Sequence, residues 1–301
     1  MFKKAIGKLL ELINNNTKKE IESIKILTGR SVANFNTTRT INKLADIEFK
    51  VFSQWGDDGI IQYLLSKIDI PETSEVFVEF GVENYTESNT RFLLQNNNWK
   101  GLVIDGSSAH INYIKNDPVY WKHNLTAVCQ FITKSNINSI IKDAGIEGEI
   151  GILSVDIDGN DYYVWKAIDI VKPVIVITEY NSIFGCDKPY STIYQDDFVR
   201  TNAHYSNLFY GTSLLSACDL AEEKGYGFVG CNSAGNNAYF VRNDKLNGLK
   251  TLSCAEGFVD AKFRESRDKT GNLSLLSGIN KRNEIKGLKV FNTRTNQEET
   301  L

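Results

Sequence analysis

The chain has 301 residues, 42% of them hydrophobic and 24% charged, with a formal net charge of -3; this suits one medium domain with an appendage or two small domains, and excludes disorder and a strongly basic nucleic-acid surface. Its five cysteines, Cys129, Cys186, Cys218, Cys231 and Cys254, are odd in number and contain no CxxC pair, which argues against a disulfide framework and a thiolate zinc site. No stretch approaches the roughly 18 apolar residues of a membrane span, and the first residues lack the apolar centre of a signal peptide, so a cytoplasmic protein without a membrane span is expected.

Phe2, Ala5, Ile6, Leu9, Leu10 and Ile13 recur at helical spacing, with Lys3, Lys4 and Lys8 off that face. This predicts an amphipathic helix ended by the Asn-Asn-Asn-Thr run at 14–17. Its apolar face can pack on the body or pair two copies as a homodimer, and three lysines are few for a membrane surface. Residues 14–50 read as a short helix and an arm, so 1–50 is expected to form an N-terminal helical arm. Residues 53–68, SQWGDDGIIQYLLSKI, open with Ser53, Asp57 and Asp58 and continue with Ile60, Ile61, Leu64, Leu65 and Ile68 at helical spacing. Trp55 reads as a core plug, the two acids as partners of the helix dipole, and Gln54 and Asp58 as candidate ligand contacts.

VFVEFGV at 76–82 reads as a buried strand ending at Glu79 and Gly81. The segment 86–90 reads as the start of a helix that continues through Arg91-Phe92-Leu93-Leu94, and GLVIDGS at 101–107 as a second strand ending at Asp105. In an open α/β sheet ligands bind beyond the carboxyl ends of the strands, and an acid at the second strand end can accept both hydroxyls of a ribose. Further strands are expected at 125–131, 151–156, 174–180, 226–231 and 237–241, and helices at 136–143, 161–168 and 213–224. Pro173 is read as lying just before its strand. The late pair joined by a tight turn at 233–236 implies a mostly parallel sheet with an antiparallel edge strand. Residues 51–243 are thus read as one domain and 244–301 as a C-terminal extension, a lid or substrate-binding segment.

A nicotinamide site would want GxGxxG after the first strand; only Gly81 is present, with acids around it, which suits a smaller cationic cofactor such as S-adenosylmethionine. The set SQWGDDG, FVEFGV, ESNTRFLL, GLVIDGS, LSVDIDGNDYYVW and GYGFVGCNSAGNNAYFV resembles class I S-adenosylmethionine-dependent methyltransferases akin to the FkbM-type enzymes of bacterial polysaccharide biosynthesis, over residues 45–241. The resemblance implies a Rossmann-like seven-stranded methyltransferase sheet with an antiparallel last strand. It also implies S-adenosylmethionine contacts at Glu79, Gly81 and Asp105, extended here to Asn89, Gly106 and Ser107, and an O-methyltransferase acting on a sugar hydroxyl or small metabolite. The first-strand loop departs from the family in being poorer in glycine than ExGxGxG.

Asp156, Asp158, Asn160 and Asp161 cluster after the fourth strand, and Glu179 and Asn181 end the fifth. Hard oxygen donors in such number suit Mg²⁺, with Asp156, Asp158, Glu179 and Asn181 as ligands. This layout is similar to that of metal-dependent O-methyltransferases, in which the ion activates a hydroxyl. Equally, the string can form a turn and helix cap with Asp156 alone as base or substrate ligand. His204 is read as a candidate general base or as a surface histidine, and His110 and His123 as near the adenine edge or exposed. Residues 241–301 hold twelve basic against eight acidic residues, and their arginines could grip a nucleotide-linked sugar or present a solvated helical face. Two rival functions share these features: a non-catalytic nucleotide or sugar-nucleotide binding module, and a metal-dependent hydroxylase or lyase.

Overall fold

Period-two alternation along the apolar runs divides each strand between two faces, and the fold follows from burying both. The structure is a computed structural model that describes the backbone of residues 2–301 and the side chains of 16–301. In chain order the helices and strands are α1 (Phe2–Thr37), α2 (Asp57–Lys67), β1 (Val76–Phe80), α3 (Arg91–Asn97), β2 (Lys100–Asp105), α4 (Ser108–Asn116), α5 (Pro118–Lys122), β3 (Leu125–Cys129), α6 (Ile137–Asp143), β4 (Gly148–Val155), α7 (Asp161–Ala167) and β5 (Val171–Glu179). There follow β6 (Tyr190–Ser191), α8 (Arg200–Ala203), α9 (Leu214–Glu223), β7 (Tyr226–Cys231), β8 (Asn237–Arg242), α10 (Cys254–Gly257), α11 (Ile279–Glu284), β9 (Lys289–Asn292) and β10 (Gln297–Thr300).

Seven strands form one sheet in the order β3-β2-β1-β4-β5-β8-β7. Val78, Leu102, Leu153, Val176 and Phe240 face a core shared with α6, α7 and α9. Their neighbours Phe77, Val103, Ile152, Ile175 and Tyr239 face a second core shared with α2, α3, α4 and α5. The result is a three-layer α/β fold, the Rossmann-like methyltransferase arrangement, with the last strand antiparallel to its neighbours. That strand is not the edge: β8 inserts between β5 and β7, so β7 is outermost. The turn at 232–236 before β8 makes the reversal, and β8 buries both faces there, as its unbroken apolar run Ala238–Val241 requires.

Several local expectations are corrected. The asparagine run does not end the first helix, which is continuous from Phe2 to Thr37. Asparagine is only a weak helix breaker, and the helix is tied down further along: Glu22 meets Arg91 and Gln95, Arg30 Nε donates to Asn96, and Asn36 Nδ2 donates to the Ile47 carbonyl. The apolar face expected over 2–13, and the pairing of two copies through it, lies outside the described side chains. Trp55 is 40% exposed and plugs no core. Residues 86–90 are a loop rather than a helix start; α3 begins at Arg91, after a stretch that Glu83 and Tyr85 turn with positive φ. Pro173 lies inside β5, in the part that no β8 residue faces, since that pairing begins at Ile175. The C-terminal segment contributes more than a helical surface: β9 and β10 form a hairpin that pairs with β6 in the insertion after β5.

Candidate active site

A cavity of about 610 Å³ opens along the carboxyl edge of the sheet, at the ends of β1, β2, β4 and β5 and the start of β8. Glu79, Glu83, Glu87, Asp105, Asp156, Asp158 and Glu179 line it, and Arg200 is its one lysine or arginine. Seven carboxylates around one guanidinium give the cavity a negative potential, which raises the local concentration of cations.

At the β1 end, Glu79 is buried, and its carboxylate accepts from Ser88 Oγ at 2.8 Å, Asn89 N at 2.8 Å, Thr90 N at 3.1 Å and, more closely, Thr90 Oγ1. It therefore organises the loop 88–90 as well as lining the cavity. Burial pushes its pKa up, opposed by those hydrogen bonds. Gly81 has φ +65, and a Cβ there would lie 1.8 Å from the Asp156 carbonyl oxygen. The absence of a side chain is required by the close passage of the loops after β1 and β4, a different reason from approach to a ligand. Asp105 Oδ2 accepts from Glu83 N at 2.8 Å, and Oδ1 from Ser107 N at 2.7 Å, with His110 Nδ1 at 3.1 Å. A carboxylate has about four acceptor sites, so Asp105 keeps room for a further hydroxyl. Gln54, Asn89, Gly106 and Ser107 also line the cavity, and Ser107 Oγ caps α4.

At the β4 and β5 ends, one oxygen each of Asp156, Asp158 and Glu179 lie within 4.8 Å of one another. Burial, and then the like charges of Asp158 and Asp161, push Asp156 well above the usual carboxylate range. Burial and the charge of Asp156 do the same to Glu179. Arg200 offsets part of this, its Nη1 donating to Asp158 Oδ1 at 2.8 Å while its guanidinium stacks 3.9 Å from the Tyr210 ring centroid. Asp161 takes no place in the cluster, because its oxygens accept from Ile157 N and Gly159 N and so close the turn that presents Asp158 at φ +56. Glu179 Oε2, Asn160 Oδ1 and Arg200 Nη2 are buried without a hydrogen-bond partner. These atoms are available to a ligand or to water, Arg200 Nη2 also lying 3.7 Å from Glu265 Oε2.

Three candidates are not brought to the cavity. Asp58 Oδ2 accepts from the backbone N–H groups of Val51, Phe52 and Ser53 and from Ser53 Oγ, so it ties residues 51–53 to the start of α2. Asn181 caps the short turn after β5: its Oδ1 accepts from Ile183 N, and its Nδ2 donates to the Leu208 and Tyr210 carbonyls, which hold it outside the cavity lining. His204 Nδ1 is 2.7 Å from Ser206 Oγ and its ring lies 4.2 Å from that of Tyr205, and it does not line the cavity. Arg200, Phe198, Asn236 and Asn237 line the cavity and were not singled out by sequence reasoning. Arg200 and Phe198 come from the insertion after β5, where no periodic pattern signals them; Asn236 was read only as part of a turn and Asn237 only as the first residue of a strand.

No family model and no curated protein matches the chain. Among solved structures, it is similar to a S-adenosylmethionine-dependent methyltransferase from Clostridium acetobutylicum ATCC 824, at 14% identity over 56% of this chain and 83% of that one, with a TM-score of 0.35. It is similar to the O-methyltransferase from Bacillus cereus in complex with SAH, at 11% identity over 57% and 76% of the two chains, TM-score 0.35. The N-terminal domain of EvdMO1 with SAH bound shares 10% identity over 74% and 94%, TM-score 0.36. Likeness at this level carries no functional argument, and the fold rests on the strand order of the chain itself.

Proposed function

We propose that the protein is an S-adenosylmethionine-dependent O-methyltransferase acting on a hydroxyl of a sugar or small metabolite, with surface-glycan synthesis as the setting that the family resemblance suggests. The observation that carries this reading is the cavity wall of seven carboxylates facing one guanidinium at the carboxyl edge of the sheet. Such a wall fits a ligand with sulfonium and ammonium charges, and about 610 Å³ is within the usual range for a ligand of that size. Asp105 fits the ribose, while Gly106 and Ser107 continue the wall beside it. S-adenosylmethionine, when bound, supplies an electrophilic methyl group. The residues of the chain then have to orient the acceptor hydroxyl and take its proton. Asp156, half-buried beside Glu179 and raised in pKa by desolvation and like charge, is a stronger base than an ordinary carboxylate and sits between the Glu79 and Glu179 strand ends.

A second reading is favoured by one observation: Asp156, Asp158 and Glu179 converge, and Glu179 Oε2 lacks a partner. These three would hold Mg²⁺, with Asn160 rather than Asn181 as the nearby amide whose oxygen is uncommitted. The ion would lower the pKa of a bound hydroxyl. Isothermal titration with S-adenosylhomocysteine tests the main reading. Wild type should bind, and Asp105→Ala should weaken binding by at least ~10-fold, since hydrogen bonds to a charged group contribute about 1.5–3 kcal/mol. No binding at high micromolar concentration, or an unchanged Kd in the variant, would refute it.

A further inference from the structure

The turn 232–237 contains three asparagines, and their amides can be oriented by chemistry alone. Asp57, fully buried at the start of α2, accepts at Oδ1 from Asn232 Nδ2 at 3.0 Å, from Asn237 Nδ2 at 2.9 Å and from Tyr239 OH. Asp57 Oδ1 serves as the acceptor for all three donors, so the nitrogen of Asn237 faces Asp57 and its Oδ1 points away. Asn232 Oδ1 in turn accepts three backbone N–H groups, from Gly235, Asn236 and Asn237. Its Nδ2 therefore donates to Asn236 Oδ1 at 2.8 Å, which leaves the Asn236 nitrogen as the outward group. Both Asn236 and Asn237 line the cavity, and among the described residues neither Asn236 Nδ2 nor Asn237 Oδ1 has a hydrogen bond.

The cavity wall thus presents an amide donor and an amide acceptor from adjacent residues. Asn237 is the register partner of Glu179, so this pair stands directly beside the acidic cluster. Asp105 is at the other end: β2 and β8 are four inter-strand steps apart in the sheet, roughly 19 Å at about 4.8 Å per step. A hydroxyl both donates and accepts, and two neighbouring hydroxyls match a donor and an acceptor held side by side. An anion would meet the carboxylate wall unfavourably.

We infer that Asn236 and Asn237 form the acceptor-binding end of the cavity, that they select a neutral polyol with adjacent hydroxyls, and that Asp57 is the positioning residue that sets their amides. This rests on the methyl-donor reading for the reaction but not for the binding.

The test uses saturation-transfer NMR of methyl α-D-glucoside, mannoside and galactoside against the full chain, with and without S-adenosylhomocysteine, alongside calorimetry of S-adenosylhomocysteine and thermal melts. At least one glycoside should receive transfer from wild type. Asn237→Leu, similar in volume and without polar atoms, should reduce it by roughly 10-fold, as expected for a lost hydrogen-bonding group, while the S-adenosylhomocysteine Kd stays within about twofold. Asp57→Ala should lose glycoside binding and Asp57→Asn, which keeps an acceptor oxygen, should restore it; a structural role alone would not give that order at equal melting temperature. If Asp57→Ala does not fold, Asn237→Leu and Asp57→Asn decide. No transfer from wild type to any of the three, unchanged transfer in Asn237→Leu, or parallel loss of S-adenosylhomocysteine affinity would overturn the inference. Failure of wild type to bind S-adenosylhomocysteine would instead refute the methyl-donor reading, and the glycoside measurement without it would still decide the amide pair.

Discussion

Replacing Glu79 tests whether this acid is chiefly a scaffold or chiefly a charge. In Glu79→Ala four donors lose their acceptor: Ser88 Oγ, Asn89 N, Thr90 N and Thr90 Oγ1. Thr90 is fully buried, so water cannot replace its lost N–H bond and only the longer one to Ser88 Oγ at 3.2 Å remains, whereas its hydroxyl keeps Tyr85 OH at 3.0 Å. Ser88 and Asn89 border the cavity, where water can enter and replace the lost bonds. At about 1–3 kcal/mol for each donor left poorly satisfied, with two of the four relieved by water and one by Tyr85, the Thr90 N–H alone remains and the net destabilisation is about 1–3 kcal/mol, partly offset by removal of a buried charge. Glu79→Gln keeps one acceptor oxygen and should cost about half as much. Urea unfolding of wild type and both variants measures the difference, and calorimetry with S-adenosylhomocysteine shows whether affinity follows stability. The scaffold reasoning fails if Glu79→Ala unfolds within about 1 kcal/mol of wild type. It also fails if Glu79→Gln loses as much affinity as Glu79→Ala at unchanged stability, because then the charge alone matters.

Gly81→Ala should destabilise the protein by more than ~2 kcal/mol in urea, since left-handed backbone alone costs an alanine roughly 1–2 kcal/mol and its Cβ would meet the Asp156 carbonyl at 1.8 Å; near-neutral behaviour would show that the two loops can part freely. Asp58 carries a pH signature. Burial outweighs its hydrogen bonds and raises its pKa to about 6, so the folded state holds this proton more tightly than the unfolded chain, and the Asp58 contribution to stability falls as pH rises from about 4 to 6 and is flat above. Relative to wild type, Asp58→Asn should therefore gain about 2 kcal/mol between pH 4.5 and 7.5, at 1.36 kcal/mol per unit; a difference independent of pH would contradict it. A cation at Asp156, Asp158 and Glu179 should appear as a melting temperature that rises with MgCl2 concentration by mass action and as enhanced water relaxation with MnCl2. Asp156→Asn should abolish both, and indifference of wild type to millimolar Mg²⁺ would remove the metal reading.

Much of the fold is legible in local pattern because burial of a parallel sheet demands unbroken apolar runs, and those runs at Val76–Phe80, Gly148–Val155 and Val171–Glu179 stand out from any polar background. Acids at the strand ends follow from the same reasoning, since the carboxyl edge is where an open sheet binds ligands. Roles at those ends are another matter. Asp58, Asn181 and His204 carry suitable chemistry, yet Asp58 Oδ2, the Asn181 amide and His204 Nδ1 are engaged by backbone or hydroxyl partners, and nothing in composition or spacing tells a capping amide from a free one.

Sequence alone therefore settled the βα alternation and the acidic strand ends, as these depend on period, length and residue type within a few positions. Only the tertiary structure decided which carboxylates face the cavity, that Arg200 from the insertion meets Asp158, that β8 sits inside the sheet, and that Asp57 reaches asparagines 175 and 180 positions away. Those relations depend on which way each side chain turns once distant segments meet, and the free energy of that choice comes from partners that no local window contains. Gly81 marks the divide: its position after a strand is readable, while its reason, the carbonyl of Asp156 pressed against it, exists only in three dimensions.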